Sequence, residues 1–216
     1  IDLFSFGADS LIPPDGDTAL ELMGDRLVTE PFEKFESGFT VEFVMKSDTR
    51  PSGFTNLVGD GESGGSFNLM VYLTPAGQLR PHIQTDAGVF AVDSVQNVAD
   101  GRLHHIVSTW DKASGVHALY IDGAIAEVNA VAGAVPFLGE PANTGNPIFL
   151  GRDGREGGHT FVLDEVAIYN KSLSAERVAA HAATIDFPPP PSDEPLADPG
   201  DLDDLPDGLA HYTDFN

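Results

Sequence analysis

Two adjacent acidic residues, Asp164 and Glu165, lie within the otherwise apolar run TFVLDEVAIY. If this run is a strand, successive side chains point to opposite faces. Asp164 then shares a face with Val162, Val166 and Ile168, whereas Glu165 shares the other with Phe161, Leu163 and Ala167. At least one carboxylate is therefore predicted to be partly buried, where it requires a cation, backbone donors or a proton.

A pair of histidines, His104 and His105, suggests a metal-binding or acid–base site. Neighbouring side chains on a strand point to opposite faces, so these two imidazoles cannot chelate one ion together. We predict that one histidine is buried and hydrogen-bonded and that the other lies on a sheet surface. Neither is assigned a catalytic role.

Sugar-binding faces commonly present aromatic side chains, and the candidates are Trp110, Tyr72, Phe90 and Tyr169. Trp110 ends a predicted strand and precedes a turn, which favours a position at the rim of the fold. Core packing is the alternative for a lone tryptophan. We select Trp110 and Tyr72 as the ligand-binding candidates.

The charge of the chain restricts its partners. It has 34 acidic residues against 11 Lys and Arg, a formal charge of −23 at pH 7. This charge repels nucleic acids and anionic membrane surfaces, so neither is a predicted partner. The absence of cysteine excludes disulfides and thiolate sites. No apolar run reaches the roughly 20 residues that span a bilayer, so no membrane insertion is predicted.

The elements that position these side chains are predicted to be strands. Residues 39–46 alternate between an apolar and a more polar face, as in a half-buried strand. Eight more strand candidates are separated by turn signals: SFNLMVYLT, GQLRPHIQT, GVFAVDSV, RLHHIVSTW, HALYIDG, AIAEVNAV, PIFLG and TFVLDEVAIY. Many short strands predict a β-sandwich. One segment, SLSAERVAAHAA, predicts a short helix capped by Ser174.

Four segments form an ordered set that is more specific than any one of them: GFTVEFVMK, DGRLHHIVSTWDKASGVHALYIDG, NPIFLGR and LDEVAIYNKSLSAERVAAH. Together they resemble the laminin-G-like, concanavalin-A-like jelly-roll domains, near the pentraxin branch. We place this domain at residues 1–184. The resemblance implies two packed antiparallel sheets, so the predicted fold is an all-β, two-sheet antiparallel jelly-roll sandwich with one short C-terminal helix and an extended tail.

The resemblance also implies a structural calcium ion, because similar domains often place one at the aspartate that corresponds to Asp164. The other ligands would be backbone oxygens and acids of the amino-terminal segment, where Asp2, Asp9 and Asp25 are available. Calcium suits such a site because it takes about 6–8 oxygen ligands, many of them carbonyls. The alternative is that Asp164 only accepts backbone hydrogen bonds at a sheet edge.

Members of the resembled family are mostly non-catalytic. This implies an adhesion or recognition module of a larger extracellular or cell-surface protein, binding a glycan or a protein. Glycoside hydrolases of the laminarinase or agarase type share the fold, but they carry acids in a Glu-x-Asp-x-x-Glu run, which is absent here. Since Asp164 and Glu165 would point to opposite faces, no enzyme activity is predicted, and a hydrolase is the weakest alternative.

The carboxy-terminal region has a different composition. From Val178 onward it contains no lysine or arginine, and residues 185–207 are rich in proline and acids. This composition predicts an extended linker of polyproline type.

Residues 208–216 resemble the short strand that opens domains of this family. One explanation is that a further tandem unit begins here. The other is strand exchange, in which the segment docks on a sheet edge of another copy through Leu209, His211, Tyr212 and Phe215. The alternative to exchange is that the tail packs on its own domain. Assembly of copies through residues 186–216 would make the chain a structural subunit of a fibre or coat, which is the alternative function.

Overall fold

The computed structural model describes residues 4–9, 11, 18–24, 26–31, 35–61, 67–129, 139–142, 145–151, 159–185 and 187. Within these residues the chain forms thirteen strands and one helix. The elements are β1 (Phe4–Asp9), β2 (Thr18–Met23), β3 (Arg26–Pro31), β4 (Gly38–Lys46), β5 (Thr55–Gly59), β6 (Leu69–Leu73), β7 (Leu79–Thr85), β8 (Gly88–Ala91), β9 (Leu103–Asp111), β10 (Val116–Ile121), β11 (Ala124–Asn129), β12 (Pro147–Gly151), β13 (Thr160–Tyr169) and α1 (Ala175–Ala182).

The strands form two antiparallel sheets. The seven-stranded sheet has the order β1-β2-β13-β4-β9-β10-β11, and the six-stranded sheet has the order β3-β12-β5-β6-β7-β8. Strands that are distant in the chain lie side by side, because β4 pairs with both β13 and β9. The predicted jelly-roll sandwich with one short helix is confirmed.

One large apolar core lies between the sheets. The face of β4 that was predicted to be apolar is buried there, with Phe39, Val41, Phe43 and Met45 each at most 1% exposed. Full burial of a side chain of this size contributes about 1.5–3 kcal/mol. Because these residues occupy one face of β4, the residues between them must point out of the sandwich.

Nine of the thirteen strands among the described residues match the strand candidates, whereas β1, β2, β3 and β5 were not predicted. Both β1 and β3 are edge strands, and β3 ends at Pro31, a residue that a sheet tolerates at an edge. β5 has only five residues. Their sequences lack a strong alternation of apolar and polar residues, so pairing with neighbouring strands accounts for them better than any local pattern.

The helix α1 packs on the outer face of the seven-stranded sheet. Ser174 caps it by accepting a hydrogen bond from the backbone N–H of Arg177, as predicted. Val178 on the helix and Leu173 before it are buried against a second, smaller cluster that contains Val107 of β9 and two β10 residues, Ala118 and Tyr120. The helix therefore covers part of this outer face.

The turn between β10 and β11 lies close to α1 and permits a stability test. Gly123 has φ +79°, and a Cβ at this position would lie 2.7 Å from the Cβ of Ala182. Gly123→Ala is therefore expected to lower the free energy of unfolding by about 1–3 kcal/mol, measured by chemical denaturation. Gly145 also has a left-handed φ, +68°, but open space around it. Equal losses for Gly123→Ala and Gly145→Ala would show that the helix contact contributes nothing.

Candidate functional site

A cleft of about 300 Å³ opens on the outer face of the seven-stranded sheet. Strands β4, β9 and β13 form its floor, and residues at and after the end of α1 form one side. It is lined by Glu42, Val44, His105, Glu165, Ala167, Tyr169, His181, Thr184 and Ile185. We call it the Glu42 cleft. Its volume lies at the lower end of the range for small-molecule sites.

Strand alternation explains why Glu42 faces this cleft. Its neighbours Val41 and Phe43 are fully buried in the core, so the Glu42 side chain points to the opposite face of β4. Val44, two residues along, shares that outer face and lies opposite His105 of β9 in the strand register. The register thus brings the carboxylate and the imidazole of His105 together.

Two imidazoles hold the Glu42 carboxylate. The Nε2 of His105 lies 2.8 Å from Oε1, and the Nδ1 of His181 lies 2.9 Å from Oε1 and 3.1 Å from Oε2. A carboxylate only accepts hydrogen bonds, so both imidazoles donate. His181 lies in the last turn of α1, and the carboxylate therefore links the helix to the sheet.

The ionisation of Glu42 reflects these contacts. Burial opposes the charged form, but the hydrogen bonds from His105 and His181 and their charges outweigh it, so the pKa of Glu42 is lowered. Tyr169 also lines the cleft, and its pKa is raised by burial first and then by the charge of Glu42. Glu42 is thus a carboxylate at neutral pH.

Glu165 enters the cleft because β13 is irregular. The register with β4 shifts between Asp164 and Ala167, and Glu165 has φ +50°. This β-bulge breaks the strict alternation that was predicted. Phe161 and Leu163 face the core, whereas Glu165 is exposed at the cleft and does not share their face. The prediction that Glu165 shares a face with Phe161 and Leu163 is therefore wrong, whereas Glu165 and Ala167 both line the cleft, as predicted.

His104 and His105 point to opposite sides of β9, but both are buried, at 1% and 2% exposed. The prediction that one of them lies on an open sheet surface is wrong, because the end of α1 stands over His105. His104 lies between two carboxylates, with Nδ1 3.0 Å from Asp122 and Nε2 3.2 Å from Asp100. Burial lowers the pKa of His104, but the two carboxylates outweigh it and raise the pKa.

Asp164 is buried at 5% exposed, as the pattern predicted for at least one of the acids. Its Oδ2 accepts the backbone N–H of Leu11 at 2.8 Å, and its Oδ1 accepts that of Glu165 at 3.0 Å. Asp164 thus contacts the amino-terminal segment, but through a backbone N–H donor rather than through oxygen ligands of an ion. The alternative placed Asp164 at a sheet edge, whereas β13 is an interior strand of its sheet.

A calcium site is not assembled by the residues that the structure describes, since none of their His, Asp and Glu side chains form a group of three or more that could hold a metal ion. Asp2 and Asp25 lie outside the described residues, as does the side chain of Asp9. Calcium at Asp164 therefore stays a prediction.

The two aromatic candidates lie in different places. Trp110 is a core residue, 1% exposed, with its ring edge-on to Phe39 at 5.7 Å, so the expected rim position is wrong and the core alternative holds. Tyr72 faces away from the main core on the six-stranded sheet, beside Phe54 and His82. Only 5% of Tyr72 is exposed, and its hydroxyl donates to the Met70 sulfur at 3.1 Å. Neither residue lines the Glu42 cleft.

The residues predicted to assemble copies of the chain lie in the carboxy-terminal tail. Residues 188–216, which include Leu209, His211, Tyr212 and Phe215, lie outside the described residues. No helix in the described part of the chain is both long and apolar enough to cross a membrane.

A comparison with family models gives one match. The model Laminin_G_3, described as the concanavalin A-like lectin/glucanases superfamily, matches residues 22–179. This range contains the three strands that form the floor of the Glu42 cleft, β4, β9 and β13, but ends before His181. No curated protein sequence matches the chain significantly.

Solved structures show the same fold at low sequence identity. The binding domain of Paraclostridial Mosquitocidal Protein 1 is 15% identical with a TM-score of 0.65, and the match covers 83% of this chain and 46% of that one. A botulinum neurotoxin type C structure, described as depending on two ganglioside molecules for cell entry, is 10% identical with a TM-score of 0.60, covering 84% and 46%. Trypanosoma rangeli sialidase is 17% identical with a TM-score of 0.51, covering 76% and 27%. The chain spans less than half of each.

Proposed function

This chain belongs to the concanavalin A-like lectin/glucanase superfamily, and from that premise we propose that it is a non-catalytic module that binds a glycan in the Glu42 cleft. The proposal includes an extracellular or cell-surface setting within a larger protein. The similar chain of Paraclostridial Mosquitocidal Protein 1 supports this setting, since it is a binding domain about twice the matched length.

The observation that carries the proposal is the composition of the Glu42 cleft. Carboxylate, imidazole and phenol groups lie together beside the aliphatic side chains of Val44, Ala167 and Ile185. Small-molecule sites commonly combine apolar walls with a few fixed polar groups. A sugar ring has the matching surfaces, with hydroxyl groups on its edge and C–H groups on its faces. The ganglioside interaction described for the neurotoxin type C structure is consistent with this class of ligand.

Binding without catalysis is favoured by the state of Glu42. Glycoside hydrolysis requires a general acid whose pKa is raised. The pKa of Glu42 is lowered instead, and its oxygens already accept from two imidazoles. Glu42 is therefore suited to hold a network in place rather than to give a proton to a leaving group.

Assembly of copies into a fibre or coat is the other function that the sequence suggested. It depends on residues 186–216, of which only residue 187 is described. This function stays a prediction, and no contact among the described residues favours it over glycan binding.

Removing the Tyr169 hydroxyl tests the proposed function. A glycan array should first identify a bound saccharide, and calorimetric titration should then show about fivefold weaker binding by Tyr169→Phe, the effect of one hydrogen bond. Tyr72→Phe is the matched control on the opposite sheet and should bind like the unmodified chain. The proposal fails if no glycan binds, or if both variants lose affinity equally. Release of reducing sugar that depends on Glu42 would instead establish an enzyme.

A further inference from the structure

The outer face of the six-stranded sheet, on the other side of the sandwich from the Glu42 cleft, carries a group of polar and aromatic side chains. Strand β7 alternates between buried and half-buried residues, so Arg80 and His82 point away from the core. Tyr72 of β6 lies opposite Arg80 in the strand register, and Phe54 directly precedes β5. We call the group of Phe54, Arg80, His82 and Asp93 the Arg80 patch.

The guanidinium of Arg80 is held in one orientation. After β8 the chain continues alongside β7 through two backbone hydrogen bonds, which bring Asp93 opposite Arg80. The Nε of Arg80 donates to Oδ1 of Asp93 at 2.5 Å, and its Nη2 donates to Oδ2 at 2.7 Å. The guanidinium carbon also lies 5.2 Å from the centre of the Phe54 ring. A ligand therefore meets a guanidinium that is already ordered, which lowers the entropy cost of binding.

The ion pair of Arg80 and Asp93 retains hydrogen-bonding groups for a ligand. A guanidinium has more N–H groups than these two bonds use, and each carboxylate oxygen keeps a further lone pair. The two side chains are 35% and 53% exposed, so donors and acceptors reach the solvent side by side. The hydrogen bond from Arg80 lowers the pKa of Asp93 against the effect of burial. Both groups are thus ionised at neutral pH, and their charges cancel.

His82 is an independent sign of a ligand on this face, because it makes no hydrogen bond with any residue that the structure describes. Its half-buried ring stacks on Phe67 at 6.3 Å and meets Tyr72 edge-on at 5.3 Å. Burial first, and then the charge of Arg80, lower the pKa of His82, although Asp93 opposes them. The imidazole is therefore neutral at pH 7 and has one donor and one acceptor.

Sugar hydroxyl groups match this arrangement, because each hydroxyl both donates and accepts. The C–H groups of a sugar ring also need an apolar surface, and the Phe54 ring is 40% exposed. We infer that the Arg80 patch is a second ligand site, which binds a neutral saccharide through two neighbouring hydroxyl groups. This site is separate from the Glu42 cleft and does not depend on it. With both sites occupied, one module would bridge two glycan chains.

Charge selects against ionic sugars at the Arg80 patch. A sugar carboxylate would have to displace Asp93 from Arg80, and a sugar ammonium group would have to displace Arg80 from Asp93. Either exchange replaces one set of charge-assisted bonds by another and gains little. A hydroxyl group adds hydrogen bonds while the ion pair persists, so a neutral sugar is favoured.

Tyr72, the ligand-binding candidate from the sequence, lies beneath the patch. It is 5% exposed, and its hydroxyl donates to the sulfur of Met70. Its ring contacts the rings of Phe54 and His82. Since Tyr72→Phe keeps these ring contacts, this variant is expected to bind like the unmodified chain at the Arg80 patch also.

Nuclear magnetic resonance titration with methyl β-glucoside tests the inference, because backbone amide shifts report on each face of the sandwich separately. The glucoside should shift the amides of Arg80, His82 and Asp93. Arg80→Gln should weaken this binding about tenfold, the loss expected for hydrogen bonds to a charged group. Phe54→Leu keeps an apolar side chain without an aromatic ring and should weaken it about threefold. Arg102→Gln removes an exposed arginine next to β9 of the other sheet and should leave binding unchanged.

Three further probes test the chemistry of the ligand at neutral pH. Tetrahydropyran, the same ring without hydroxyl groups, should shift these amides much less than the glucoside at equal concentration. Glucuronate and glucosamine should bind no tighter than the glucoside, because the charges of Arg80 and Asp93 already cancel.

The outcomes separate this second site from the proposed function. Shifts confined to the surroundings of Glu42 would overturn the second site and leave the proposed function intact, whereas shifts at the Arg80 patch alone would support only the second site. Equal binding by Arg80→Gln and Arg102→Gln, or much tighter binding of glucuronate or glucosamine, would contradict the inferred ligand. Amide shifts at the patch that grow with protein concentration without any sugar would identify a contact between copies and overturn the saccharide site.

Discussion

Acidification is expected to destabilise this protein strongly through one side chain, His117. This residue on β10 is fully buried, and its Nε2 lies 3.2 Å from the Ser108 hydroxyl. Burial, with a smaller contribution from the charge of His82, lowers the pKa of His117 from 6.5 to about 3. Each pH unit of this gap is worth about 1.4 kcal/mol, so the whole interval lowers the free energy of unfolding by about 4–5 kcal/mol.

The direction of this pH dependence follows from the difference in proton binding between the folded and unfolded chain. Between about pH 6.5 and pH 3 the unfolded chain protonates this histidine and the folded chain does not. The contribution is therefore full above pH 6.5 and is lost as the pH falls toward 3. Denaturation measured at several pH values should give a shallower acid slope for His117→Gln, which cannot titrate but can still bond to Ser108.

His104 serves as a control, because its contribution to stability changes with pH in the opposite direction. Its pKa is raised by Asp122 and Asp100 against the effect of burial, so its contribution is full below pH 6.5 and is lost as the pH rises through the folded pKa. His104→Gln should therefore reduce stability most at acid and neutral pH. Identical acid slopes for His117→Gln and the unmodified chain would contradict the assignment of the acid sensitivity to His117.

The sandwich could be predicted because its interior strands have a strong local pattern. Residues 39–46 alternate cleanly, and the structure buries the predicted face. The pattern fails at Glu165, where one extra residue in β13 reverses the alternation. Such a bulge depends on how two strands pair, and no local feature of TFVLDEVAIY indicates it. Trp110 likewise ends a strand, but its burial depends on Phe39 of the neighbouring strand.

The cleft was less predictable than the fold because its parts are far apart in sequence. Glu42 and His105 are separated by 63 residues, and Glu42 and His181 by 139. Glu42 was expected on the more polar face of its strand, and Tyr169 was an aromatic candidate, but nothing local relates either to a histidine on the helix. Strand order in the seven-stranded sheet and the docking of α1 bring them together.

Removal of the Glu42 carboxylate is expected to cost about 3–5 kcal/mol of unfolding free energy, the range for breaking a buried charged pair by deleting one partner. Glu42→Ala would leave the buried Nε2–H of His105 without its acceptor and would release His181 at the end of α1. Chemical denaturation measures the loss, and hydrogen exchange should show faster exchange in α1, because the helix loses its polar link to the sheet.

Glu42→Gln should lose less stability, since its amide oxygen still accepts from one imidazole. Glu21→Ala, at a half-buried glutamate on β2 of the same sheet, should change stability by no more than about 1 kcal/mol. If Glu42→Ala and Glu21→Ala are equally stable and α1 exchanges at the same rate in both, the carboxylate does not hold the helix on the sheet.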